Sequence, residues 1–185
     1  VNHSIGVMTA KDDAAQMSQG AGMTFRNNIE WLAGNYNEAR MGSSIFSYLM
    51  GYEDPRLSVY FLPMDGNASY GVEAFDGKTY QAVPAGHANA QNDIYKSCSK
   101  PNIQSGTPTY WLRASEVYFL RAEAALVWEG FGSADSWYKQ GIDMSFQENG
   151  VTDPVDDYMN SNLSPRAYVL SHYQYGQTLS APCET

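Results

Sequence analysis

Residues 115–150 read SEVYFLRAEAALVWEGFGSADSWYKQGIDMSFQENG, and this stretch decides the fold. It predicts two helices folded against each other. In the first, Val117, Tyr118, Phe119, Leu120, Leu126, Val127 and Trp128 leave only a narrow strip for Glu116 and Glu123, and a helix that apolar has to be covered on most faces. Ala122, Ala124 and Ala125, with Gly141 on the second helix, let the two backbones approach closely. Gly130 and Gly132 end the first helix, Ser133 caps the second, and Gly150 stops it. Helix, glycine turn and helix take about 34 residues, the length of one tetratricopeptide unit. Such a unit cannot bury its faces alone, so the pair points to a piece of a larger helical protein.

Working outward, Met41, Ile45, Tyr48, Leu49 and Tyr52 recur at helical spacing. They predict a helix over 37–52, with Asn37 at its start. Gly51 and Asp54-Pro55 stop it, because proline disfavours a helical residue before it. The alternation of Leu57, Val59 and Phe61 with Ser58, Tyr60 and Leu62 suggests a short strand. Residues 1–24 read as irregular, with room for a short helix.

From Pro63 to Pro108 the chain shows no convincing periodic element, being filled with Gly, Asn and Pro. Residues 63–108 are therefore expected to be irregular loop, and long loops inside compact domains are often functional. Tyr70, Phe75, Tyr80 and Tyr95 stand in it among small polar residues; a tyrosine ring suits both half-buried packing and contact with sugars. These four are the candidate ligand-binding residues, on composition alone. Thr107-Pro108 is expected to open the helix pair, which then fills 112–149. A short helix follows around Asp157–Leu163, and 164–185 reads as loop.

No phosphate loop, HExxH, paired CxxC or EF-hand spacing is present. His3, His87 and His172 are too scattered for a metal site, and Gly42-Ser43-Ser44 lacks a nucleophile-elbow setting. The acids Asp153, Asp156 and Asp157 cluster, as do Asp12 and Asp13. Glycosidases work with two carboxylates and calcium takes hard oxygen ligands, but acids beside proline and at helix starts serve as caps or solvated surface. Arg56, Glu116, Arg121 and Glu123 are expected to pair and hold the fold. The expectation is a protein with no catalytic residue, metal or cofactor. Its net charge of −9 argues against nucleic acid. Cys98 and Cys183 lie far apart, and a disulfide and two separate thiols both stand open.

Trp111-Leu112-Arg113-Ala114-Ser115-Glu116-Val117-Tyr118-Phe119-Leu120-Arg121-Ala122-Glu123-Ala124-Ala125-Leu126, followed by Gly132, Ala134, Tyr138 and Gly141-Ile142, resembles the SusD/RagB family. Tyr52-Glu53-Asp54-Pro55-Arg56-Leu57 through Phe61 resembles the Asp-Pro-Arg-Leu segment of its SusD-like branch, and Asn149-Gly150-Val151 through Asp157-Tyr158-Met159 fits as well. The resemblance spans roughly residues 25–160. It implies a mainly α, SusD-like fold with a tetratricopeptide-like helix pair, long irregular loops and little β structure. Residues 1–185 would be one partial SusD-like domain, an internal or C-terminal portion of a longer chain. Members are outer-membrane nutrient-binding lipoproteins of Bacteroidetes-type bacteria. The resemblance therefore implies surface capture of an oligosaccharide or other nutrient and delivery to a SusC-like TonB-dependent transporter. Membrane attachment would come through a lipid anchor absent from this chain. A tetratricopeptide-like protein-binding scaffold is the alternative, and a glycoside hydrolase a further one. A solenoid would repeat its pattern after about another 34 residues, which the tail beyond Gly150 does not.

Overall fold

A computed structural model of the chain describes residues 6–66, 73–83, 95–166, 168–170 and 179–181. In chain order the elements are β1 (Ala15–Met17), α1 (Asn28–Ala33), α2 (Ser43–Gly51), α3 (Leu57–Tyr60), β2 (Glu73–Phe75), β3 (Lys78–Tyr80), β4 (Thr109–Leu112), α4 (Ala114–Val127), α5 (Ala134–Glu148), α6 (Val155–Met159), β5 (Tyr168–Leu170) and β6 (Leu179–Ala181). The fold is mainly α, with a tetratricopeptide-type helix pair. Two compact units form: 1–26 with 106–160, and 27–105 with 161–185.

The first unit is the helix pair α4–α5 with a small two-stranded cap. Glu116 Oε1 accepts from the Arg113 N–H at 3.0 Å, satisfying one of the donors a helix start leaves open. Trp137 Nε1 donates to the Phe131 carbonyl at 2.7 Å and fastens the turn between the helices. Ser133 caps α5 as expected, its hydroxyl accepting from Ser136 N at 3.3 Å. The close approach is visible at Gly141, where a Cβ would lie 2.7 Å from Phe119 Cε1; the Phe119 ring occupies the space a side chain would take. Ile142, Phe146 and Val155 form the core, with Phe119, Val151 and Tyr158 against them. The Phe146 and Tyr158 rings meet edge-on at 5.4 Å. Strands β1 and β4 pair antiparallel, Gln16 opposite Tyr110 and Met17 opposite Thr109. Thr107-Pro108 therefore leads into a strand, and the helix begins only at Ala114.

The second unit wraps the helix α2 around a core of Met41, Phe46, Leu49, Met50, Leu57, Tyr80, Ala82, Tyr95 and Cys98. Helix α2 starts at Ser43, not at Asn37, for a long-range reason. The backbone of 41–43 is taken by distant segments: Met41 N donates to Ser99 O, Val83 N to Met41 O and Ser43 N to Val83 O, each at 2.8 Å. A chain bonded that way cannot also carry helical bonds. Asn37 lies in the left-handed region instead, at φ 61°.

Residues 57–60 are helical, against the alternation that suggests a strand. Asp54 Oδ1 accepts from Arg56 N at 2.9 Å, Leu57 N donates to Asp54 O at 3.0 Å, and Pro55 supplies a preset φ. The Arg56 guanidinium closes on both Asp54 oxygens, through Nε at 2.9 Å and Nη2 at 2.5 Å. This is the structural pairing expected of Arg56, with Asp54 only 3% exposed.

The stretch 63–108 holds one regular feature among the described residues, the β2–β3 hairpin, with Phe75 opposite Lys78 and Glu73 opposite Tyr80. Asp76 and Gly77 form its two-residue turn at φ 47° and 69°, the left-handed pair that a tight hairpin requires. In the tail, α6 sits earlier than expected, at Val155–Met159, and β5 pairs with β6 where loop is expected.

Candidate functional site

The four loop aromatics occupy different environments. Phe75 is half-buried on the hairpin and packs against the core of the second unit, while Asp76, Gly77 and Lys78 beside it are exposed. Tyr80 is fully buried and Tyr95 nearly so, at 0% and 5% exposure. Both rings are filled into the core, so neither offers a face to a ligand in this conformation. Burial, with the Asp76 charge nearby, pushes the Tyr80 phenol up, and its hydroxyl has no partner among the described residues. Tyr70 lies outside the described residues.

Arg40 holds the far end of this loop. Its Nε donates to Tyr95 O at 3.2 Å and its Nη2 to Lys96 O at 3.0 Å. Burial lowers the Arg40 pKa, yet the side chain remains a cation at neutral pH and the carbonyls compensate its desolvation. Cys98 is a buried free thiol under the same loop. Burial pushes its pKa up to about 12, which keeps it neutral and unreactive. Cys183 lies outside the described residues.

The first unit carries a concave site that the sequence did not announce. A cleft of about 480 Å³ is lined by Lys11, Asp12, Gln16, Tyr110, Arg113 and Glu148. The pairing of β1 with β4 brings these distant positions together. The Arg113 guanidinium lies 3.8 Å from the centre of the Tyr110 ring, within cation–π range. It also donates to Asn149 Oδ1 at 3.3 Å and faces Glu148 Oε2 at 3.9 Å. Glu148 is only 4% exposed; it accepts from Ser115 N at 3.1 Å and from Ser115 Oγ at 2.6 Å. Both Glu148 oxygens are thus engaged in tying the start of α4 to the end of α5. The acid is a strut, and Asp12 stands alone as the cleft's solvated carboxylate.

Two further acidic groups, Asp13 and Asp156, are local supports. Asp13 Oδ2 accepts from Thr9 N at 2.8 Å and Ala10 N at 3.0 Å, and these bonds hold its carboxyl below the ordinary range. Asp156 pairs with Lys139. Among the described residues no group of three or more His, Cys, Asp or Glu is placed to hold a metal ion. All three histidines fall outside them. No helix among the described residues is long and apolar enough to cross a membrane.

A family model described as SusD-like, Susd and RagB outer membrane lipoprotein, matches residues 1–185. Solved structures match as well. A SusD homologue from Bacteroides thetaiotaomicron is 30% identical, with TM-score 0.77 over 96% of this chain and 34% of its own. One from Bacteroides vulgatus is 32% identical, with TM-score 0.75 over 97% and 34%. A chitin-binding SusD homologue from Flavobacterium johnsoniae is 28% identical, with TM-score 0.75 over 90% and 32%. No curated protein matches. The chain spans about a third of the length of these relatives. Helix pair, Asp54-anchored turn and whole-length match agree: this chain belongs to the SusD-like family.

Proposed function

We propose that the protein to which this chain belongs captures an oligosaccharide or other nutrient outside the cell and holds it without covalent chemistry. It then delivers the ligand to a SusC-like TonB-dependent transporter in the outer membrane, to which it is held by a lipid anchor. The observation that carries this reading is the family match over residues 1–185, supported by a relative described as chitin-binding. The site chemistry agrees with it. The cleft of the first unit offers hydrogen-bonding groups of both signs around an aromatic ring, the usual makeup of a wet and open binding surface. Its buried carboxylate is spent on structure.

Within the aromatic loop, Phe75 and Tyr70 are assigned to ligand contact, with Tyr80 and Tyr95 as the buried supports that hold the hairpin in place. Native gels cast with polysaccharide test this on the intact lipoprotein. Phe75→Ala should weaken retention with a smaller loss of melting temperature than Tyr80→Ala, whose ring is fully buried. Unchanged retention in both Phe75→Ala and Tyr70→Ala removes the loop from the site. Delivery is tested separately, by copurification of the transporter from outer membranes.

One observation favours the scaffold alternative: Leu126, Val127 and Trp128 are 78%, 62% and 61% exposed at the end of α4. Contiguous apolar surface of this kind marks protein contacts. If the intact lipoprotein binds a protein partner and no glycan, the scaffold reading replaces the receptor.

A further inference from the structure

We propose that Trp31 and Tyr36, on the second unit, form a carbohydrate-stacking platform that takes the apolar face of a pyranose ring. The inference rests on the glycan-binding reading above and gives it a place distinct from the loop aromatics. The two rings stack on each other with centroids 4.9 Å apart and planes 22° apart. Yet they remain 38% and 58% exposed. A stacked pair leaves each ring one outer face; the more exposed Tyr36 supplies the contact and Trp31 backs it.

Single exposed aromatics are common and need no explanation. This pair differs because the chain around it is built to hold the rings in place. Asn27 Oδ1 accepts from Ile29 N at 3.0 Å and starts α1, while Asn27 N donates to Ser105 O at 2.8 Å and anchors it. The chain then doubles back on the helix: Gly34 N donates to Glu30 O at 2.8 Å, Tyr36 N to Trp31 O at 2.9 Å, and Glu38 N to Leu32 O at 2.9 Å. That five-residue return is what lays Tyr36 over Trp31. Asn37 follows in the left-handed region and accepts from the Arg40 guanidinium, which is itself tied to Tyr95 O and Lys96 O.

The surroundings are polar in the way a sugar requires. Asn28, Asn35 and Glu38 are exposed within the same segment. Amides and a carboxylate can bond the equatorial hydroxyls while aliphatic C–H groups rest on a ring. A protein partner would instead favour continuous apolar surface, which α1 does not present here: only Ile29 joins the pair as an exposed large apolar residue on α1. A preorganised aromatic pair loses little entropy when a ligand arrives.

The test is calorimetric titration of the intact protein with malto-, xylo-, manno- and chito-oligosaccharides. Tyr36→Ala and Trp31→Ala should each weaken binding of whichever sugar the wild type takes, about tenfold or more. Trp31→Phe, which keeps a ring behind Tyr36, should retain most of the affinity, and Trp128→Ala should match wild type. Sugar binding that survives both alanine variants overturns the platform and leaves the receptor reading intact. No binding of any of the four by wild type overturns the platform and the oligosaccharide form of the receptor reading. If Tyr36→Ala lowers the melting temperature and leaves affinity alone, the pair is a packing contact and the proposal fails.

Discussion

The two units solve the burial problem differently. The second encloses nine side chains in one cluster, with Met41, Leu57, Tyr80 and Ala82 at 0% exposure. The first has a core cluster of three residues, Ile142, Phe146 and Val155, and leaves Leu120, Leu126, Val127 and Trp128 of the α4 segment between 48% and 78% exposed. A helix apolar on most sides should be covered, and this one is covered on one side only by the elements described. One unit closes on itself, and the other presents a face. Stability should therefore be concentrated in the second unit, and apolar surface open to a protein contact in the first.

The sharpest way to break that contrast is Phe46→Ala. Phe46 is 1% exposed in the larger core, so unfolding of the intact protein in urea should lose about 3–5 kcal/mol. A loss below about 1 kcal/mol would mean that the core is looser than its burial indicates.

Cys98 gives the same core a pH signature. The folded thiol stays protonated up to about pH 12, against an ordinary value of 9.0. The unfolded chain therefore sheds that proton first, and raising the pH favours it. This contribution is fully present below pH 9 and is lost as pH climbs toward 12, at up to about 1.4 kcal/mol per pH unit. Cys98→Ala should flatten the alkaline limb of a stability–pH curve. An unchanged limb, or rapid labelling of the Cys98 thiol itself in native Cys183→Ser protein at pH 8, would contradict the burial.

Two glycines sharpen the comparison at smaller scale. A Cβ on Gly51, in the second unit, would meet Ser164 O at 2.4 Å and Arg166 N at 2.6 Å. Backbone cannot step aside, so Gly51→Ala should cost about 2–3 kcal/mol. Gly141→Ala, in the first unit, meets only the Phe119 ring at 2.7 Å, and a half-buried side chain can shift where backbone cannot. About 1 kcal/mol is expected, measured by thermal unfolding. Equal costs would show that the helix pair is as tightly enclosed as the other core.

What the sequence made legible follows the same division. The helix pair could be read because its signals are local: Ser133 caps, Gly150 stops, and Gly141 admits Phe119 within one short segment. The start of α2 could not, since 41–43 is claimed by Val83 and Ser99, far along the chain. The hairpin turn Asp76-Gly77 was in plain view, but the surrounding Gly and Asn residues obscured it. Leu57–Tyr60 alternates like a strand and is helical because Asp54 and Pro55 set its start. Of the loop aromatics, composition could not separate a core ring such as Tyr80 from a half-buried one such as Phe75. The Lys11–Tyr110–Arg113 cleft left no local trace at all, because strand pairing assembles it.

The smallest expected effect bears most directly on the comparison. Leu126 is 78% exposed, so Leu126→Ser should change the unfolding free energy of the intact protein by no more than about 0.5 kcal/mol. The replacement removes apolar surface from water in the native state as much as in the unfolded one, and the two changes cancel. They stop cancelling if another part of the intact protein rests on α4. The variant would then lose about 2 kcal/mol or more, and the open face of the helix pair would be an internal seam. If stability holds while copurification of a membrane partner falls, the face is a surface kept for recognition. A null result in both measurements would leave the exposed stripe with neither role and remove the distinction between the units.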